Sequence, residues 1–374
     1  MNFVLFYHSF ASCWNHGNAH FLRGICRELH AVGHRVTVWE PQDGWSRTNA
    51  IADGGAAALA EAERLVPGVA LRHYAPDFDL DQALDGADVV IVHEWNTPAL
   101  VAAIGRRRAA GGAFQLLFHD THHRAVSAPG EIEAFDLDGY DAVLAFGEVL
   151  SEIYRDRGWG RDVFTWHEAA DTALFRPLAV EADGPDLVWI GNWGDGERAA
   201  ELERFLIAPV TSLGLKTRIH GVRYPASVRE RFADLGIDYA GWLPNHAVPA
   251  TFAASRLTVH VPRRPYAESL PGIPTIRVFE ALACGLPLVC APWDDAENLF
   301  PQGAYLTAAS SEAMTMAIDR ILRDAALAAH LRVTGLATIQ ARHTCRHRVA
   351  ELLAILDRDA AAERTRQPQR AHAS

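Results

Sequence analysis

The stretch Gly272-Ile-Pro-Thr-Ile-Arg-Val-Phe-Glu-Ala-Leu-Ala-Cys-Gly-Leu-Pro-Leu-Val-Cys-Ala-Pro292 reads as a Gly/Pro turn, a short helix carrying one acid, a glycine stop and a buried strand. Gly272 and Pro274 break any preceding element, so a helix can begin near Thr275, whose hydroxyl suits a cap. Ile276, Phe279 and Ala283 fall at i, i+3 and i+7, the spacing of an inward face. Gly285 ends the helix, and Leu286–Ala291 is an apolar run bounded by prolines, as a buried strand requires. The start of such a helix offers free backbone N–H groups and a positive dipole end, the means by which proteins hold phosphates. Glu280, just behind that start, is placed to accept hydrogen bonds from sugar hydroxyls.

The same alternation extends through the chain. Asn2–Tyr7, Arg35–Trp39, Ala87–His93, Phe114–Phe118 and Ala142–Phe146 are short apolar runs followed by polar residues and helical stretches. Leu187–Ile190, Lys216–His220, Leu257–Val261 and Leu286–Ala291 repeat the pattern in the second half. Parallel strands with helices on both faces follow, an α/β class arranged as two doubly wound domains with a boundary near residues 168–180. A length of 374 residues is enough for two cores. The last amphipathic helix carries Val349, Leu352, Leu353 and Leu356. Beyond it, residues 358–374 are polar without apolar period and read as a disordered tail.

Composition narrows the function classes. A net charge of −11 argues against a nucleic-acid partner, and any diphosphate ligand must meet locally placed cations. The five cysteines are scattered, odd in number and without CxxC, which favours reduced thiols in a cytoplasm. The N-terminus reads as a strand and not a signal peptide, and no apolar stretch approaches the ~20 residues of a membrane span.

The segment Gly272–Gly285 resembles the signature of bacterial group 1 (family 4-like) glycosyltransferases, in the branch of spore maturation glycosyltransferase-like proteins. In that family two glutamates stand eight positions apart; this chain keeps the second as Glu280 and has Gly272 where the first would be. Trp166-His-Glu-Ala-Ala-Asp-Thr-Ala-Leu-Phe-Arg-Pro177 resembles the family's lead into its second domain. The resemblance implies a GT-B fold of two Rossmann-like domains facing across a cleft. Residues 1–167 would form the acceptor domain and 168–340 the nucleotide-sugar donor domain, with a helix over 341–357 returning to the first. It further implies a retaining, hexosyltransferase-like enzyme needing no metal or other cofactor, with Glu280 holding the nucleotide ribose.

In open parallel sheets, ligands sit beyond the carboxyl ends of strands, so residues just past each run are the candidates. After the first strand, Asn15, His16, Gly17 and Asn18 open a helix whose N–H groups can meet an acceptor or phosphate, or else form a capped, solvated loop. After the run Phe114–Phe118, His119 and Asp120 are the catalytic candidates. An imidazole there can donate to a sugar hydroxyl, and Asp120 can orient it or take a proton. With His122, His123, His93 and Glu94 they also offer metal ligands, yet the spacing matches no metal pattern and no metal is expected. His93-Glu-Trp95 can equally be a hydrogen-bonded strand end, and Asp77-Phe-Asp-Leu-Asp81 reads as a solvated face.

In the second half, Gly191 and Asn192 open a Gly-rich turn that lets backbone approach a phosphate, and Arg198 can pair with it. The segment Gly272, Ile273, Pro274, Thr275 completes the donor site. Arg277 is a further cation, or the partner of an i,i+3 ion pair with Glu280; Arg263 and Arg264 can add charge. His220, Gly221, Trp242 and Leu243 resemble the family's nucleobase cradle. The expected function is transfer of a sugar from a nucleotide diphosphate donor to an unidentified acceptor. A sugar-nucleotide epimerase or hydrolase and a non-catalytic scaffold remain the rivals. A dehydrogenase is disfavoured because no G-x-G-x-x-G follows the first strand.

Overall fold

The computed structural model describes residues 1–179, 184–194 and 196–370, with side chains as far as residue 358. The first sheet contains β1 (Asn2–Phe6), β2 (Arg35–Pro41), β3 (Ala70–Tyr74), β4 (Val89–His93), β5 (Gln115–Asp120), β6 (Ala142–Ala145) and β7 (Val163–Thr165). Their spatial order is β3-β2-β1-β4-β5-β6-β7, with every neighbouring pair parallel. The second sheet contains β8 (Leu187–Ile190), β9 (Thr217–His220), β10 (Asp238–Gly241), β11 (Leu257–His260), β12 (Leu288–Cys290) and β13 (Leu306–Thr307). It is also all-parallel, in the order β10-β9-β8-β11-β12-β13.

In both sheets the strand order reverses beside the strand that comes first in sequence, β1 and β8, and each therefore has a crevice beyond its strand ends. The four strands without an apolar run in the sequence, β3, β7, β10 and β13, are the edges of the two sheets. Edge strands are covered less completely, so β3 alternates poorly and β10 exposes Asp238 and Ala240.

One apolar cluster runs between the domains. It joins Leu5, Phe21, Ile25 and Leu117 of the first to Ile276, Phe279 and Leu288 of the second. The helix Cys345–Arg370 packs against the first-domain helix Ala19–Ala31. Trp166 Nε1 donates to the Arg348 carbonyl (2.8 Å) and Gln115 Nε2 to the Leu356 carbonyl (3.0 Å), which ties this terminal helix to the first sheet. The helix continues to Arg370, so the tail expected from residue 358 is helical over most of its length, and its last four residues lie outside those described. Ala, Glu and Arg are strong helix formers, and the run Ala360-Ala-Ala-Glu-Arg364 extends a helix without needing an apolar face. Position 180, at the end of the expected boundary segment, also lies outside the described residues.

Candidate active site

The carboxyl ends of β1, β4 and β5 face those of β8, β9 and β11 across a cavity of about 660 Å³. His8 follows β1, Trp95 follows β4 and His122 follows β5; opposite them stand Gly191, Gly221 and Val261. The domains touch at its rim. Asn192 donates to Asn15, and Trp242 lies so near Gly54 that a Cβ there would come within 2.6 Å of the indole.

The second-domain wall carries the positive charge, from Arg198, Arg223, Arg263 and Arg277. Arg198 donates to the carbonyls of Asn192 (2.6 Å) and Val261 (3.2 Å), which fixes its guanidinium at the end of the Gly-rich turn. Burial, and then the neighbouring Arg263, pull its pKa down to about 10, which still leaves it charged at neutral pH. Arg263 pairs with Glu197 at 2.7 Å, and Glu197 in turn lies 3.6 Å from His123 Nε2 across the cleft. The helix Ile276–Ala283 begins at this wall, with Thr275 as its N-cap residue. The Thr275 hydroxyl does not cap the helix; it meets His260 Nε2 at 3.0 Å, and burial holds that imidazole neutral, near a pKa of 3.

Of the expected donor residues, Gly191, Asn192, Arg198, Thr275 and Arg277 line the cavity, and Ile276 joins them. Gly272, Ile273 and Pro274 do not. Ile273 is buried in the first domain's core cluster against Gly147. Gly272 has φ +87°, and a Cβ on it would meet Glu297 Cγ at 2.7 Å. The Glu297 side chain thus fills the space that a side chain at position 272 would enter. That side chain points to the other domain: its carboxylate accepts from Glu148 N (2.9 Å) and meets His167 Nε2 (2.7 Å).

Glu280 departs from expectation most. It is fully buried and absent from the cavity wall, so it is not placed to bind ribose or sugar hydroxyls in this arrangement. It pairs instead with Arg277, one helical turn away, and with His20 Nδ1 at 3.0 Å. Its helix turns this face toward the helix Ala19–Ala31, while Arg277 reaches the cleft. The i,i+3 ion pair is the arrangement found.

His119 and Asp120 are corrected as well. β5 continues through both, pairing His119 with Leu144 and Asp120 with Ala145, so neither lies past the strand end. The His119 ring is packed among His93, Phe21 and Trp166, with no surface exposed. Asp120 accepts from the Tyr154 hydroxyl (2.7 Å) and His122 N (2.9 Å). Burial, aided by the charge of Glu94, raises its pKa to about 7. The residues that reach the cavity from this loop are Thr121, His122 and His123. Among the described residues no three of His, Cys, Asp or Glu are grouped to hold a metal ion.

Asn15, His16, Gly17 and Asn18 all line the cavity, as do Gly221, Trp242 and Leu243. His220 does not; it ends β9 as a buried side chain, since strand alternation turns it inward where Gly221 faces the cleft. The sequence reading missed Trp14, Trp45, Arg223 and Tyr266, all on the wall. Trp14 directly precedes Asn15 in the turn after β1, Trp45 begins the helix Trp45–Arg64, Arg223 lies in the loop after β9, and Tyr266 lies in a short helix after β11. The signal available for the tryptophans was an aromatic residue within the polar, Gly-rich segments that follow strands. Asp79 caps the helix Leu80–Leu84 and Asp81 pairs with Arg107, which accounts for the acidic run as a solvated face.

Residues 198–354 match the profile of the family described as "Glycosyl transferase-like". Similar solved structures cover nearly all of the chain. Sucrose-phosphate synthase from Thermosynechococcus elongatus has a TM-score of 0.67 at 16% identity, spanning 97% of this chain and 100% of that one. Anabaena HepE in complex with UDP-glucose has a TM-score of 0.64 at 15% identity, over 95% and 99%. An alpha-glucosyltransferase in complex with UDP has a TM-score of 0.66 at 14% identity, over 96% and 100%. No curated protein sequence matches the chain significantly. The fold shared with these structures is GT-B, two parallel-sheet domains facing across a cleft. The match to the glycosyl transferase-like family lies in the second domain, which supplies the cationic wall of the cleft.

Proposed function

We propose that the protein transfers a sugar from a nucleotide diphosphate donor to an acceptor, with retention of configuration and without a metal. The observation that carries this reading is the meeting of Arg198, Arg263 and Arg277 with the start of the helix Ile276–Ala283 on one wall of an interdomain cleft. As the bond between the anomeric carbon and the diphosphate oxygen breaks, negative charge grows on the leaving group. The guanidinium groups and the first-turn N–H groups would stabilise it, the part a cation plays elsewhere. The acceptor hydroxyl then bonds to the anomeric carbon from the same face and passes its proton to a departing phosphate oxygen. The two domains exclude water, which favours transfer over hydrolysis.

Gly221, Trp242 and Leu243 would hold the base, and uridine is the first to test because UDP appears with the similar structures. All five cysteines are buried and unpaired, which fits the reducing cytoplasm we propose as its location, and no helix among the described residues is long and apolar enough to cross a membrane. The test is a product assay across nucleotide sugars, with and without acceptor and with EDTA present. Transfer that survives the chelator supports the proposal. Free sugar or an epimer as the sole product favours the rival enzymes, and turnover that needs an added divalent ion removes the metal-free step.

A further inference from the structure

The cavity is electrically one-sided. All its arginines, and Glu197, come from the second domain; among the described first-domain residues that line it there is no Lys, Arg, Asp or Glu. The first-domain half is built from imidazoles and indoles. The His8 and His16 rings lie 4.4 Å apart, tilted by 55°, and burial together with their histidine neighbours holds both well below the usual histidine pKa, so they are neutral. His122 is pushed down to about 2, by burial first and then by His123 and Arg124. Trp45 and Trp95 remain 55% and 41% exposed at this end, an unusual amount for indoles on a cavity wall. Trp95 is braced by the Arg124 guanidinium, 4.2 Å from the ring centroid, and that charge is itself paired with Glu131.

We propose that the acceptor taken by this half of the cleft is an uncharged saccharide, stacked on Trp95 and Trp45 and hydrogen-bonded to His8, His16 and His122. The proposal rests on the sugar-transfer reading above and names its acceptor class. An anionic acceptor, such as a lipid phosphate or a sugar acid, would find no cation outside the donor wall. A cationic one would find only Glu197, which Arg263 already holds. An apolar acceptor would cover His16, which is 8% exposed and has neither ring nitrogen hydrogen-bonded, without satisfying it, and a phenol brings only one hydroxyl to three imidazoles. Leaving such groups unsatisfied is unfavourable. A neutral imidazole offers one donor and one acceptor, the pair that a sugar hydroxyl complements, and indole faces cover the apolar C–H faces of a pyranose.

The test is calorimetric titration of the full chain, first with UDP and then, at saturating UDP, with cellobiose, lactose, maltose and N,N′-diacetylchitobiose. Glucuronic acid, glucose 6-phosphate and p-nitrophenol serve as the charged and phenolic counterparts. At least one uncharged disaccharide is expected to bind, about tenfold or more tighter than any counterpart. Trp95→Ala should weaken that binding about tenfold while the Kd for UDP stays within about twofold. A charged sugar or the phenol binding as tightly, no binding by any uncharged disaccharide, or a Trp95→Ala effect equal on UDP and sugar would overturn the proposal. Failure of UDP to bind while a disaccharide binds would instead count against the donor reading and leave this one standing.

Discussion

Arg277 and Glu280 show how a single helical turn divides a site. The arginine faces the cleft, whereas the glutamate is sealed beneath it against His20. Glu280→Ala should leave Arg277 and His20 without their shared anion and cost about 3 kcal/mol, the low end for breaking a buried pair, as read by denaturant unfolding. It should also weaken nucleotide binding, because Arg277 loses its anchor. A stable Glu280→Ala with normal UDP affinity would contradict the pairing. His119 carries the opposite expectation. His119→Leu keeps the volume of a buried ring, so turnover per folded molecule should stay within about threefold. His119→Ala should cost about 2–4 kcal/mol through the cavity it leaves. A folded His119→Leu enzyme without activity would return His119 to the chemistry. The motif Gly272–Gly285 was legible in the sequence down to its helix and Arg277. The burial of Glu280 was not, because it depends on His20, which lies 260 positions earlier in the chain and meets it only in the folded state.

At the level of elements, the connection into the helix Ile276–Ala283 is set by one backbone conformation. Gly272 at φ +87° lies beside Glu297, whose carboxylate reaches the N-terminus of the helix Glu148–Arg157. Gly272→Glu, which would restore the family's first glutamate, should therefore disrupt this corner. The side chain would meet Glu297, and the left-handed backbone adds about 1–2 kcal/mol of strain. Thermal unfolding should show a lower Tm than wild type, and an unchanged Tm with raised activity would contradict this geometry. The strands of the sheet interiors were readable as apolar runs, while the edge strands β3, β7, β10 and β13 were not, since each presents one side to solvent or to little cover. The end of β5 was misjudged for a related reason: His119 and Asp120 look like loop residues, yet β6 pairs with both.

Across the whole molecule, the buried imidazoles make acid the destabilising condition. His93 and His260 are held near pKa 3, His122 near 2 and His343 near 4, by burial first in each case. Folded, they stay neutral; unfolded, they take up protons below about pH 6.5, so stability falls as the pH drops through that range. Glu94 and Asp120, raised to about 7 by burial, act in the opposite sense, losing stability as the pH rises from about 4 to 7. The imidazoles outnumber them, so Tm should climb from pH 4.5 to 6.5 and then level or dip slightly; a Tm that falls over that interval would contradict the assignment. The division of charge also belongs to this scale, because the cationic donor wall and the uncharged, aromatic opposite wall come from different domains. The most direct test of the account is a crystal structure of the protein soaked with UDP. The diphosphate should lie in the interdomain cleft, within hydrogen-bond reach of Arg277 or Arg198 and of the N–H groups after Thr275. Density for UDP outside the cleft, or in it against the first-domain tryptophans with the arginines untouched, would contradict it.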